Sequence, residues 1–295
     1  MDTSKLGLFA AEKGRGETVV LVHGIPTDYR AWTPQVEALS EEYRVVTYSR
    51  RYAFPNTRDG DVMDSTIQNN AADLATLVGQ LGAGPVHLVG HSYGGFIAAY
   101  LATTSPNLIR SLVLVEPAIG PLLLKNEKSA AESLALLLRS PSTALSARRF
   151  LTRYNGPSLK ALERGDKMTA VRLNVEGVQD SDGAFDRLPE PVKAMMLDNS
   201  RTVREVATPF PILTRAELAR IAVPTMLVTG HTSARWLRKI AEIAASSIPG
   251  SRLIQITGSG HYPHIEKPSE FNAALLGFLN DLEKLETPAE AKRNQ

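Results

Sequence analysis

Short runs of Val, Ile and Leu punctuate the chain, each closed by turn residues: TVVLVHG, YRVVTYS, PVHLVGHS, IRSLVLVEP, PTMLVTG and SRLIQITG. Their apolar residues are continuous rather than alternating, which predicts strands buried on both faces. Between several of them lie AADLATLVGQLG, GGFIAAYLATTSP, ARWLRKIAEIAASSI and SEFNAALLGFLNDLEKL. Apolar residues three and four apart mark the buried face of a helix. Strand and helix therefore alternate, and the expected fold class is α/β, a mostly parallel central sheet flanked by helices.

The alternation stops after Pro117. From there to about Leu218 the spacing is helical, in SAAESLALLLRS, TALSARRFLTRYN and PEPVKAMMLDNS, with Pro, Gly and Asn between the pieces. VATPFPIL reads as the return to the sheet. The expected division is a core of residues 1–118 and 217–295 and an inserted helical lid of residues 119–216. Such a lid would cover the C-terminal ends of the strands, where open parallel sheets bind ligands.

Composition removes several function classes. Lys and Arg number 33 against 31 Asp and Glu, so no strong field recruits nucleic acid or an anionic membrane. With no cysteine, disulfides, thiol catalysis and thiolate metal sites are excluded. The opening MDTSKLGLFAAEKGRGE lacks the apolar core of a signal peptide, and no apolar run reaches membrane-spanning length. A cytoplasmic location is the expectation. The tail ETPAEAKRNQ is polar and expected to fray.

HLVGHSYGGFIAAYLA sets Gly90, His91, Ser92, Tyr93 and Gly94 between a strand and a helix. This is G-x-S-x-G in the context it requires: small residues permit a sharp turn that lifts the Ser92 hydroxyl from the sheet. The helix that follows aims its free amides at the same point, which favours negative charge there. The ordinary alternative is a serine that merely ends a strand. At these residues the chain resembles the α/β-hydrolase superfamily.

The resemblance extends to VLVHGIPTDYRAW, where His23, Gly24, Ile25 and Pro26 are similar to the superfamily's HGxP segment. It implies an oxyanion hole made of the main-chain amides of Ile25 and Tyr93. His23 and His91 read as structural. ITGSGHYPHIEKPSEF resembles the superfamily's histidine loop, and His261 is then the general base that takes the proton of Ser92. His264 competes, three residues on, but lacks the glycine frame.

In the family pattern the acid usually follows the strand TMLVTG, where this chain has Ser233 in VTGHTSARW. A hydroxyl carries no charge, so replacing Ser233 by alanine is expected to change little. Glu116, in LVLVEP, ends the strand after the nucleophile's helix and should lie beside the nucleophile's strand. Some α/β-hydrolases carry their acid there, and the resemblance makes Glu116 the expected acid. The bland alternative is a glutamate that caps the lid's entry or pairs with Arg50 or Arg51.

Superfamily members with lids include esterases, lactonases, carbon–carbon bond hydrolases and cofactor-free peroxidases, while aspartate at the elbow marks epoxide hydrolases and haloalkane dehalogenases. Ser92 argues against the last two. The expected activity is cleavage of an ester or lactone of a small to medium, largely apolar molecule, with no metal or organic cofactor. The alternatives are a carbon–carbon hydrolase or peroxidase on the same fold, or a ligand-binding receptor with little turnover. Trp32, Tyr93, Met195, Met196 and Phe210 are the expected pocket residues.

Overall fold

The computed structural model describes residues 7–56, 60, 62–126 and 129–293, with side chains to residue 284. The first six residues of the opening stretch and the last two of the tail lie outside these. A seven-stranded sheet runs through the molecule in the order β1-β3-β2-β4-β5-β6-β7. Its strands are β1 Ala10–Lys13, β2 Thr18–Val22, β3 Arg44–Tyr48, β4 Val86–His91, β5 Ile109–Val115, β6 Thr225–Gly230 and β7 Arg252–Ile256. Six of them occupy the apolar runs and pair in parallel. The unpredicted one, β1, is a four-residue antiparallel edge strand whose AAEK carries too little apolar signal to announce itself.

β2, β4 and β6 are buried along their whole length, as continuous apolar runs require, whereas the edge strand β7 is largely exposed. Helices cover both faces. Leu74, Leu77, Phe96, Ile97, Leu237 and Ile240 pack on one side. Trp32, Leu39, Phe271, Leu275 and Phe278 pack on the other. The last helix, Pro268–Arg293, continues through most of the tail expected to fray. Among the described residues no helix is long and apolar enough to cross a membrane.

Between β5 and β6 every described element is helical. VATPFPIL does not rejoin the sheet: Val206 and Ala207 end a 3-10 turn, and the chain re-enters only at Thr225. Pro209 and Pro211 have no N–H to give a strand ladder, which the apolar content of this stretch disguised. Helices of the insertion escaped the sequence pattern, Gly156–Glu163 and the longer Lys167–Gln179 among them. Lys167–Gln179 buries Asn174, Glu176 and Gly177 among its valines, so its apolar periodicity is broken.

The second half of this insertion is tied to the core by buried polar contacts. Arg50 and Glu205, neither exposed, meet at 2.6 Å. Ser65 donates to the same carboxylate at 2.7 Å, and Arg50 also donates to the carbonyls of His23 and Gly24. Asn199 donates to Asp28 at 2.7 Å and accepts from the amide of Phe54 at 2.8 Å. In the first half, the helix Ala130–Arg139 contains no buried residue. Breaking a buried ion pair strands one charge, which costs about 3–5 kcal/mol. Glu205→Ala should therefore lower unfolding stability in urea by that amount. A loss below about 1 kcal/mol would show that Arg50 finds another partner or water.

Candidate active site

β4 ends at His91, and the chain turns at once into the helix Tyr93–Thr104. Ser92, between them, has φ 52° and ψ −115°, a strained conformation for any residue with a side chain. Two glycines make the turn possible. A Cβ on Gly90 would stand 2.5 Å from the Gly94 carbonyl oxygen, and one on Gly94 would stand 2.4 Å from the Val22 oxygen. Sequence spacing is thus explained by backbone contact. The helix's first amide, that of Tyr93, has no carbonyl within its own helix to bond.

The sheet register fixes what lies beside Ser92. His91 pairs with Val115, so the Ser92 turn and the end of β5 are neighbours. The Ser92 amide donates to the Val115 carbonyl at 2.8 Å, and the Glu116 amide donates to the Val228 carbonyl at 2.8 Å. Glu116 has φ 48°, the second strained non-glycine at the site.

Ser92, His261 and Glu116 come together. Ser92 Oγ lies 2.9 Å from His261 Nε2, and His261 Nδ1 lies 3.2 Å from Glu116 Oε2. The Gly230 amide donates to Glu116 Oε1 at 2.7 Å, and the Ser233 hydroxyl donates to Oε2 at 2.5 Å. The residue in the usual acid position therefore holds the glutamate that lies beside His261, contrary to the expectation that Ser233 is idle. Arg50 is occupied by Glu205, and Arg51 pairs with Asp73 and Asp64, so neither takes Glu116. His264 is buried elsewhere, against Trp32 with ring centroids 4.3 Å apart, and its ring nitrogens have no partner within the protein.

The histidine loop is braced from the insertion. Gln179, last residue of Lys167–Gln179, accepts from the His261 amide at 2.8 Å and donates to Glu266 at 2.6 Å. Glu266 in turn accepts from the amides of Gly260 and Tyr262 at 2.7 and 3.2 Å. A Cβ on Gly260 would sit 1.7 Å from Gln179 Oε1. That contact is the physical reason for the glycine before the histidine. Gln179 was invisible in the sequence because its contacts depend on tertiary placement; Ser233 was in view as the occupant of the usual acid position but read as idle, and Glu266, an acid five residues beyond His261, was in view but unused.

Burial governs the electrostatics. It lowers the His261 imidazole to about 3, with Glu266 acting weakly upward. It raises the Glu116 carboxyl to about 8, against the Ser233 and Gly230 donors that favour the carboxylate. A dry site resists charge on either group, so the imidazole rests neutral and free to accept a proton at Nε2. Among the described residues no group of three or more His, Asp or Glu side chains is arranged to hold a metal.

Above Ser92 opens a cleft with Ile25, Tyr93, Leu123, Phe150, Phe210 and Trp236 in its walls. Gly24 lets the Ile25 segment come close: a Cβ there would lie 3.0 Å from Ser92 Cβ. Of the expected pocket residues, Tyr93 and Phe210 line the cleft, and three do not. Trp32 belongs to the core on the opposite face of the sheet. Met195 and Met196 are buried in packing, where a flexible thioether fills gaps as readily as it lines a pocket.

A sequence profile of the alpha/beta hydrolase family matches residues 19–274. The chain belongs to that family. Among its relatives is a putative carbamate hydrolase of Azorhizobium caulinodans, 24% identical over 271 residues, covering 92% of this chain and 94% of the relative. Epoxide hydrolase A of Mycobacterium tuberculosis is 26% identical, covering 96% of this chain and 97% of its own. A solved thermophilic esterase from Thermogutta terrifontis matches with a TM-score of 0.66 at 23% identity, over 93% of each chain. This α/β-hydrolase is accordingly an enzyme, a hydrolase with its family's mostly parallel sheet.

The α/β-hydrolase buries His23, His91 and His264 completely, and burial holds each well below the ordinary histidine value of 6.5. Below that pH the unfolded chain binds protons that the folded chain refuses. Stability is therefore full above about 6.5 and falls as pH drops, by about 1.4 kcal/mol per unit for each histidine. Urea unfolding at pH 7.5 and 5.5 should show a net loss, reduced by Glu116 and Glu205, whose raised carboxyls bind protons in the folded chain first, and His264→Phe should remove one histidine's share of it. A difference between the two pH values that is unchanged in His264→Phe would rule out neutral burial of His264.

Proposed function

We propose that this α/β-hydrolase cleaves an ester or lactone of a small to medium, largely apolar molecule through an acyl-enzyme on Ser92. The observation that carries the reading is the line from Ser92 Oγ to His261 Nε2 to Glu116, at 2.9 and 3.2 Å, under a mostly apolar cleft. Ser92 Oγ attacks the substrate carbonyl carbon while its proton passes to His261 Nε2. The oxyanion is received by the amides of Ile25 and Tyr93. Glu116 accepts from Nδ1–H, fixes the tautomer and stabilises the imidazolium. Collapse breaks the carbon–oxygen bond, and the leaving alkoxide takes the proton from His261. Water then attacks the acyl-enzyme, giving its proton to His261, and the acid departs with Ser92 restored.

The names esterase and carbamate hydrolase borne by two relatives fit this reading. Serine rather than aspartate at the elbow argues against the chemistry named for the epoxide hydrolase relative. A braced base with a buried acid beside it argues against a receptor that only binds.

Ser92→Ala should abolish turnover of p-nitrophenyl esters with circular dichroism unchanged, and an organophosphonate probe should label Ser92 alone. Turnover near the wild-type rate in that variant would end the proposal. Glu116→Gln should lower kcat by about a thousandfold or more. Ser233→Ala removes a donor that stabilises the Glu116 carboxylate, so the carboxyl titrates at higher pH. Since the carboxylate is the working form, the acidic limb of kcat/KM should move upward. An unshifted limb would make Ser233 a packing residue only.

A further inference from the structure

The cleft above Ser92 contains polar side chains that the proposed reaction does not use. Asn155 ends the π-helix Phe150–Asn155, and its Oδ1 is buried with no partner within the protein. The indole Nε1 of Trp236 is likewise buried and unpartnered. Asn174, on Lys167–Gln179, is only 3% exposed and adds an amide to the same wall. All three line the cleft with Ser92, and none of the cleft's lining residues is charged.

Packing brings them to one place. A Cβ on Gly177 would lie 2.7 Å from Tyr154 Cβ, so the helix Lys167–Gln179 crosses the π-helix in near contact. Asn174 stands about one turn before that crossing and Asn155 one residue after Tyr154. Phe150, in the same π-helix, packs on Trp236 with ring centroids 4.7 Å apart. A π-turn is rare and is frequently found at functional sites.

A buried polar group without a partner costs about 1–3 kcal/mol. Two such groups in one apolar cleft beside a nucleophile, with the Asn174 amide on the same wall, need a ligand group to complete them. Trp236 can only donate, Asn155 Oδ1 can only accept, and the Asn174 amide does both. An uncharged lining selects a neutral partner. Donor and acceptor sit on separate elements, the core helix Arg235–Ser247 and the π-helix. A secondary amide supplies its acceptor and its donor on separate atoms in the same way.

We propose that Asn155, Asn174 and Trp236 form a subsite for a neutral secondary amide, so that the substrate is an ester or lactone bearing an amide away from the scissile carbonyl. The inference rests on the ester-cleaving reading of Ser92 for its chemistry, though not for its binding.

The test compares p-nitrophenyl octanoate with chain-matched esters in which a secondary amide replaces two methylenes at successive positions, and with hydroxyl-bearing analogues. At least one amide ester should exceed the octanoate in kcat/KM by about tenfold or more, despite being less apolar. In folded Asn174→Leu and Trp236→Phe variants that ratio should fall to about one. In parallel, titration calorimetry on Ser92→Ala measures binding of the matching N-alkylamide against the corresponding dialkyl ketone, and the amide should bind more tightly. Preference for octanoate over every amide ester overturns the subsite and leaves the esterase reading standing, as does a hydroxyl ester that outperforms all amides. Absence of ester turnover with amide-selective binding to Ser92→Ala overturns the esterase reading and keeps the subsite. A ratio unchanged in both cleft variants removes the assignment to these residues.

Discussion

The lateral pairing of β4, β5 and β6 is the constraint on which the site depends. The Ser92 amide is held by the Val115 carbonyl and the Glu116 amide by the Val228 carbonyl. Parallel register thus sets the serine, the glutamate and Gly230 at the ends of three adjacent strands. Because these contacts belong to the sheet ladder, they are as rigid as the core itself. Ser92 and Glu116 both have positive φ. That strain is sustained only because the sheet on one side and the Gly90, Gly94 and Gly24 contacts on the other leave the backbone no alternative.

Some of this was legible in the chain and some was not, for physical reasons. The interior strands could be read because burial on both faces demands uninterrupted apolar runs. The edge strand β1 could not, since AAEK needs no such run. Ser92 and its glycines were legible because a tight backbone turn leaves its requirement in sequence. The glutamate's position followed from strand order. Gln179 left no trace, and Ser233 was noticed only as the residue in the usual acid position and read as idle, because a polar side chain acquires its meaning only from what tertiary structure sets opposite it. VATPFPIL misled because apolar content reports burial, whereas its prolines report that no ladder can form.

The insertion is attached unequally, and the inequality bears on how the cleft can open. Its second half reaches the His23–Gly24 segment through Glu205 and Arg50, and the histidine loop through Gln179. Displacing that half breaks buried polar contacts and removes the brace on His261. Displacing the helix Ala130–Arg139 breaks none of them, since it buries no residue and leaves Leu134, Leu137 and Leu138 exposed. Leu123 and Leu124, before that helix in the chain, and Phe150 and Leu151, after it, line the cleft. The parts of the insertion that touch the chemistry are those the core holds most firmly, while the part whose movement is cheapest borders the space a substrate must enter.

Burial of the relay has an energetic consequence for the proposed reaction. Neither an isolated imidazolium nor an isolated carboxylate is favoured in this site, as the opposite displacements of His261 and Glu116 reflect. Attack by Ser92 creates no isolated charge. Its proton makes an imidazolium in contact with Glu116, and the negative charge appears on an oxygen facing the amides of Ile25 and Tyr93. In a low-dielectric site such contact pairs interact far more strongly than in water. The dryness that opposes each charge alone therefore favours them when they arise together, beside fixed partners. The Ser233 and Gly230 donors add the remaining element, because they hold the carboxylate in place before the proton moves and leave little to reorganise when it does.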